Sequence, residues 1–250
     1  MPNAPRFSIV TCTWNSAATL ADTLASVRAQ TCQDLEHIFV DAGSTDATLD
    51  MIAAYPGNKV LLRDVGGGIS RAMNHGIAAA SGEFVAHLHS DDYYMSGDVL
   101  AGVAAQFDAS RRDWLFGAVQ VLKDGAMVAP CPQGPFSYFA LASGAAFIPH
   151  PAAFVRRSLF ARAGMFDEQL RYAMDIDLWL RLAALSRPAT LDRPLAVFRD
   201  HAGSVSSANR IKARQEEWRV RRRYAGKAPL AFGIYCLRYL KRMRALRRLA

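Results

Sequence analysis

The chain has 250 residues, 51% of them hydrophobic and 21% charged, with mean hydropathy +0.03; that is length and apolar content for one large domain with an appendage, and it excludes a disordered chain. Ordinary counts of 17 Gly and 11 Pro exclude collagen-like and linker-dominated chains. The net charge of +8 is unevenly placed: residues 210–250 carry 14 Lys/Arg and two acids, the remainder 16 basic and 20 acidic side chains, so a mildly acidic body bears a strongly basic tail suited to an acidic surface.

Phe7–Thr13 (FSIVTCT) is an apolar, β-branched run that predicts a strand, and the residues before it lack the charged-then-apolar build of a signal peptide. Ala17–Ala29 has helix composition, with Leu20, Leu24 and Val27 on one face. His37–Asp41 and Lys59–Arg63 read as strands, and Asp46–Tyr55 and Ser70–Ala80 as helices, with Ser44, Thr45 and Asp46 as cap candidates. Glu83–Ser90 is a fourth strand. Strands and helices alternating at this spacing predict βαβ units, a mostly parallel sheet and helices on both faces. Beyond it, Asp98–Phe107 reads as helix, and Trp114–Leu122 with Ala126–Ala129 as a hairpin around Lys123-Asp124-Gly125. Residues 130–151, rich in Pro and aromatic side chains, read as a long functional loop or lid. Met174–Leu185 returns to helix, with Asp177 placed for an i,i+4 pair with Arg181, and 189–198 reads as the last strand.

Parallel strands put their carboxyl ends on one edge, where ligands of such sheets bind. Four polar segments fall there: Thr13-Trp14-Asn15, Asp41 to Asp46, Gly66-Gly67-Gly68, and Ser90-Asp91-Asp92. The three glycines lack GxGxxG spacing, so they are either a turn or a place of close backbone approach to a ligand. The Asp91-Asp92 pair suits Mg²⁺ or Mn²⁺ bridging to phosphates.

These residues resemble a family. SIVTCTWN, VDAGSTDATLD and GISRAMNHGIAAASGEFVAHLHSDD are similar to the nucleotide-binding half of family 2 glycosyltransferases with the GT-A fold, in the form found in bacterial enzymes of O-antigen and exopolysaccharide assembly. IPHPAAFVRRSLFARAGMFDE, MDIDLWLR and FRDHAGSVSS continue the resemblance, which spans residues 6–207. It implies a GT-A domain over 1–208, with a nucleotide-binding half to about 95 and an acceptor half over 96–208, followed by a basic helical tail over 209–250. It implies a nucleotide-sugar donor (a UDP-sugar favoured, GDP or dTDP possible), Mn²⁺ or Mg²⁺, and inverting transfer to a glycan or lipid-linked acceptor in cell-surface polysaccharide synthesis. Thr13 and Asp41 fall where the family contacts the nucleoside, and Gly68 and Asn74 beside base and ribose. Asp92 is the first candidate for the metal, Asp91 for ribose or metal, and His201 for metal or diphosphate. Asp175 falls at the general-base position. Two departures stand out: Ala42 replaces a common second Asp, and Met174 replaces an acid that often precedes the base. The different-class alternative is a nucleotide-sugar-binding module or membrane-recruited scaffold without turnover.

Several residues keep a structural reading beside the functional one. Asp177 reads as a partner of Arg181. His87 and His89 share a strand face with Asp91 and read as sheet or core residues before a metal cluster, His150 as a loop brace or an acceptor contact, and Trp179 as core before a sugar platform. Four cysteines without CxxC or zinc spacing read as small buried hydrophobes of a reducing compartment. No window offers the roughly 20 clean apolar residues of a membrane span. From Pro229 a helical wheel puts Phe232, Tyr235, Tyr239, Met243 and Leu246 on one side and Arg238, Lys241, Arg244 and Arg248 on the other. The expectation is a cytoplasmic protein held peripherally on the inner membrane face by this tail, through anionic lipid and not nucleic acid; the alternative is a helix docked on the protein body with a solvated cationic face. The tail is expected to be separable from the donor site, since no donor candidate lies beyond His201.

Overall fold

The computed structural model describes residues 4–131, 135–200 and 209–249. The first half follows the predicted alternation: β1 (Phe7–Thr13), α1 (Leu20–Arg28), β2 (Leu35–Asp41), α2 (Thr48–Ala54), β3 (Lys59–Leu62), α3 (Ile69–Ala79) and β4 (Phe84–His87). These strands pair in parallel in the order β3-β2-β1-β4. Every residue of β1 and β2 is buried, because helices cover both faces and a continuous apolar run can be used on either side. One core joins Val10, Ile38 and Met73 to Trp114 and Trp179; a second joins Phe7, Ile9 and Val27 to Phe84 and Phe107, and a smaller third gathers Leu20, Phe39, Ile52 and Tyr55.

The second half adds β5 (Tyr93–Tyr94), α4 (Val99–Ser110), β6 (Trp114–Lys123), β7 (Ala126–Cys131), α5 (Tyr138–Ala142), β8 (Ala153–Arg156), α6 (Arg157–Ala163), α7 (Met174–Leu185) and β9 (Ala189–Asp200). The sheet continues as β4-β8-β6-β9-β5, antiparallel at β4–β8, β8–β6 and β9–β5 and parallel at β6–β9, with β7 paired to β6. The β6–β7 hairpin turns as expected: Asp124 and Gly125 both have positive φ (50° and 78°), the conformation a two-residue type I′ turn requires. The segment read as one long lid is more structured than that, holding α5 and a 3-10 turn at His150–Ala152; residues 132–134 lie outside the described residues.

Helices α8 (Arg210–Arg223) and α9 (Pro229–Leu249) change the reading of the tail. The stripe assigned to a membrane is turned inward at Tyr235 (1% exposed) and Met243 (5%), and Val220 and Ala231 belong to the same core as α3 and α7. The wheel detects an apolar face, but not what covers it. The exposed face of α9 is a different one, with Leu230, Leu237 and Leu240 at 71%, 70% and 50% exposure followed by exposed Lys241, Arg244 and Arg248.

Candidate functional site

The ends of β1, β2 and β4 are tied side by side: the Ala42 N–H donates to the Thr13 carbonyl at 3.0 Å, Val65 N–H to Asp41 at 2.9 Å and Leu88 N–H to Val10 at 3.0 Å. Asp41, 1% exposed, is the knot of this edge. Its Oδ1 accepts the N–H groups of Gly43 (2.9 Å) and Ser44 (2.8 Å), and its Oδ2 accepts the hydroxyls of Thr13 (2.8 Å) and Ser44 (2.5 Å). Burial opposes its ionisation, but the bonds from Ser44, Thr13 and Gly43 outweigh burial and hold the carboxyl below its ordinary value. Both oxygens are therefore engaged in shaping the loop. Asn15, at φ 48°, closes it by donating its N–H to Ser44 Oγ (2.9 Å) and accepting the Thr45 N–H (2.8 Å). Of the cap candidates, Asp46 serves the start of α2, accepting the Thr48 N–H at 3.0 Å.

Gly68 opens α3 at φ +102°, and a Cβ there would meet nothing within 4 Å, so the position requires glycine for backbone conformation and not for space. The Asn74 amide is engaged within the protein. Its Nδ2 donates to the Phe166 carbonyl and Glu168 Oε1, each at 2.9 Å, and its Oδ1 accepts the Phe166 N–H at 2.9 Å. One turn earlier, Ser70 Oγ donates to the Leu170 carbonyl at 3.0 Å. Together these side chains clamp the donor-half helix α3 to the loop that leads into α7.

Asp91 and Asp92 differ in environment. Asp92 is 2% exposed, and its Oδ1 accepts the Arg199 N–H at 3.2 Å. Burial, then the charge of Asp91, push its carboxyl well above the ordinary value, against the N–H and charge of Arg199. Asp91 is half-buried. A buried Asp92 with a second carboxylate beside it fits a hard divalent cation in chemistry, but no group of three or more His, Cys, Asp or Glu among the described residues could hold one alone. His201 lies outside the described residues.

Asp175 and Asp177 point to opposite sides of α7. Asp177, 2% exposed, accepts Arg181 Nε at 2.9 Å and the Tyr224 hydroxyl at 2.7 Å, so the predicted pair forms and the residue is structural. Asp175 lines a cavity of about 210 Å³ and accepts the Ile176 N–H at 2.7 Å. Burial, joined by the charge of Glu217, raises its carboxyl to about 6, against the Ile176 N–H and Arg221. A carboxylate at that value facing a cavity is poised to take a proton near neutral pH.

The sequence model described as glycosyl transferase family 2 matches residues 8–162. The chain belongs to glycosyl transferase family 2. It is 35% identical over 199 residues to a PGL/p-HBAD biosynthesis glycosyltransferase of Mycobacterium bovis, covering 78% of this chain and 75% of that one. It is 32% identical over 203 residues to an uncharacterized glycosyltransferase of Mycobacterium tuberculosis, covering 79% and 76%. The fold is GT-A-like. It matches S. aureus TarS 1-349 in complex with UDP-GlcNAc with TM-score 0.71 and 22% identity, over 86% of this chain and 65% of that one. It matches the mannosyltransferase PcManGT from Pyrobaculum calidifontis, in complex with GDP-Man and Mn²⁺, with TM-score 0.66 and 20% identity, over 98% and 76%.

In this glycosyltransferase three histidines pack ring to ring between the end of β4 and α7. His89 stacks on His150 (5.0 Å, 4° between planes), and His150 packs against His87 (5.4 Å) and Trp179 (5.9 Å). Burial lowers all three, His87 to about 3, so they are neutral packing groups; the ring-to-ring packing agrees with the core reading. Sequence reasoning missed Glu216. It is 7% exposed, and its Oε1 accepts the N–H groups of Arg171 (2.9 Å), Tyr172 (2.6 Å) and Ala173 (2.9 Å), the residues immediately before α7. No local pattern marks it, because its partners lie more than 40 residues away in the chain.

Proposed function

We propose that this enzyme transfers a sugar with inversion from a nucleotide-sugar donor, a UDP-sugar before GDP or dTDP, to a hydroxyl of a glycan or lipid-linked acceptor in cell-surface polysaccharide synthesis. The observation that carries the reading is the raised carboxyl of Asp175 in a cavity wall of the acceptor half, joined through α7 and Asn74 to the strand ends that bear Asp41 and Asp91. Thr13 and Asp41 hold the loop that borders the nucleoside, and Gly68 lets the backbone turn beside it. Asp175 takes the proton of the acceptor hydroxyl on the face of the sugar opposite the leaving diphosphate. The clamp of Ser70 and Asn74 keeps that base in line with the donor. A bound Mn²⁺ or Mg²⁺ would neutralise charge developing on the diphosphate. Asp92, with Asp91 beside it, would supply the carboxylates that hold it. The two mycobacterial relatives named as glycosyltransferases, and neighbours carrying UDP-GlcNAc or GDP-Man with Mn²⁺, support this reading.

A panel of UDP-, GDP- and dTDP-sugars with Mn²⁺ or with EDTA, read as donor hydrolysis, tests it. Binding of UDP without turnover of any donor supports instead the module without activity. For the metal, Asp91→Asn is expected to lower donor affinity in Mn²⁺ by about tenfold or more, to the level measured in EDTA. Equal affinities of wild type with and without the cation would refute the metal role.

No helix among the described residues is long and apolar enough to cross a membrane. The proposed localisation is peripheral, on the inner face of the cytoplasmic membrane, through the exposed face of α9: Leu230, Leu237 and Leu240 enter the interface while Lys241, Arg244 and Arg248 meet anionic headgroups. Each basic residue near such a surface is worth about 1 kcal/mol. Reversing Lys241 and Arg244 to Glu is thus expected to weaken binding to phosphatidylglycerol vesicles by about fivefold or more per charge. Binding to neutral vesicles that is as tight as to anionic ones would sink the assignment.

A further inference from the structure

The cavity at Asp175 is closed by elements outside the family's nucleotide-binding half. Helix α7 supplies one wall, with Asp175 and Trp179; α8 supplies Arg214, Glu217 and Arg221, and α9 supplies Arg242. Three arginines thus face two carboxylates. Arg221, 4% exposed, is fully engaged: its Nε donates to Glu217 Oε1 at 2.9 Å and its Nη1 to the carbonyls of Leu141 and Ala142. Glu217 Oε2 accepts Arg214 Nη1 at 2.7 Å, which leaves this triad with one net positive charge. Arg242 is half-buried, while Lys241, Arg244 and Arg248 on the same helix are exposed, and it has no carboxylate partner among the described residues. Gly144 lies beside it and admits the Tyr235 ring of the same helix. At φ +67°, a Cβ there would meet the Tyr235 ring at 2.9 Å and Arg242 Nη1 at 3.9 Å. Trp179, 2% exposed, lines the same cavity, and its indole N–H has no hydrogen-bond partner among the described residues. A buried donor left unpaired is unfavourable until something accepts from it.

We propose that this cavity is an anion-binding acceptor subsite: the acceptor carries an acidic group close to its reacting hydroxyl, Arg242 with Arg214 holds that group, and the Trp179 N–H donates to an acceptor oxygen. The inference rests on Asp175 being the base, since the hydroxyl must reach it. Arginine suits the task because its planar fork matches phosphate and carboxylate oxygens. The acidic group is either a phosphate, as on a lipid-linked acceptor, or a carboxylate, as on an acidic sugar.

The test is calorimetry on the full chain with its donor site saturated by UDP and Mn²⁺. Farnesyl phosphate is compared with farnesol, and glucuronate with glucose; the ratio within each pair cancels binding by the lipid or sugar alone. At least one acid is expected to bind about tenfold more tightly than its neutral partner, and the pair that shows it distinguishes phosphate from carboxylate. Arg242→Gln removes the preference and Arg242→Lys restores part of it. The UDP affinity of both variants stays at the wild-type value, which reports an intact fold. No preference for either acid, or a preference that survives Arg242→Gln, overturns the proposal. Asp175→Asn keeps the preference, so an error about the base appears in turnover and an error about the subsite appears in the binding ratio.

Discussion

Asp175→Asn is expected to lower turnover by about 10²- to 10⁴-fold, the range a general base contributes, with donor affinity at the wild-type value. Asn retains an oxygen for the Ile176 N–H and loses only the ionisable function. In the wild type, activity falls as pH drops through about 6, because burial, then Glu217, raise this carboxyl and only its ionised form accepts a proton. The same shift has a consequence for stability. The folded protein binds this proton more tightly than the unfolded chain, whose aspartates titrate near about 3.9. The favourable contribution is therefore present below the unfolded value and is lost as pH rises through about 6. Asp175→Asn should then melt above wild type at pH 8, by up to about 3 kcal/mol, and lose that advantage by pH 4. Paired measurements of kcat and thermal melting across this pH range check both signs. Asp177→Asn is the control. It leaves Arg181 and the Tyr224 hydroxyl without their partner, so it should lower the melting temperature. An Asp177 variant that melts normally yet loses more turnover than Asp175→Asn would move the base to Asp177.

The donor half was legible because its strands are continuous apolar runs separated by turn chemistry, so β1, β2 and the helices between them follow from composition and spacing. The second half gives weaker signals. β8 has four residues and passes directly from Arg156 into α6 at Arg157, β5 has two, and α5 has five, too short for either period to emerge. At the site, Asp41, Asp91 and Asp175 stand out because carboxylates at strand ends and helix starts have chemical meaning in the sequence itself. What those side chains do depends on neighbours distant in the chain. Asn74 lies in a segment that the resemblance places beside a ligand, but its partner Phe166 is 92 residues away and takes its amide. Asp92 reads from the sequence as the first metal candidate, but its burial against the Arg199 backbone, 107 residues away, is set by the fold. The tail's amphipathic pattern is real, and its direction is set by Gly144 and the core that receives Tyr235, neither of which a helical wheel contains.

The largest departure from the sequence expectation concerns the C-terminal helices. Truncation after Asn209 is expected to abolish cooperative folding, and with it UDP binding, instead of releasing an intact donor domain. It would uncover the sites that bury Val220, Ala231, Tyr235 and Met243, at about 1.5–3 kcal/mol for each large side chain, in a protein whose total stability is on the order of 5–15 kcal/mol. It would also remove Glu216 from three backbone N–H groups at once. Glu216→Ala isolates that second effect. Bonds to a charged acceptor are worth about 1.5–3 kcal/mol each, so the variant should lose several kcal/mol and still fold if wild type has average reserve. Its turnover should fall further than its melting temperature explains, since the unpaired N–H groups adjoin the helix that carries Asp175. Glu216→Gln, which keeps one acceptor oxygen in place without the charge, should recover most of the turnover and part of the stability. Chemical denaturation gives the stability, and kcat at a temperature well below each midpoint gives the positioning effect. A truncated chain with unchanged UDP affinity and an unchanged midpoint would make α8 and α9 an appendage. Equal turnover of Glu216→Ala and wild type would leave Glu216 as a stabilising residue with no hold on the base.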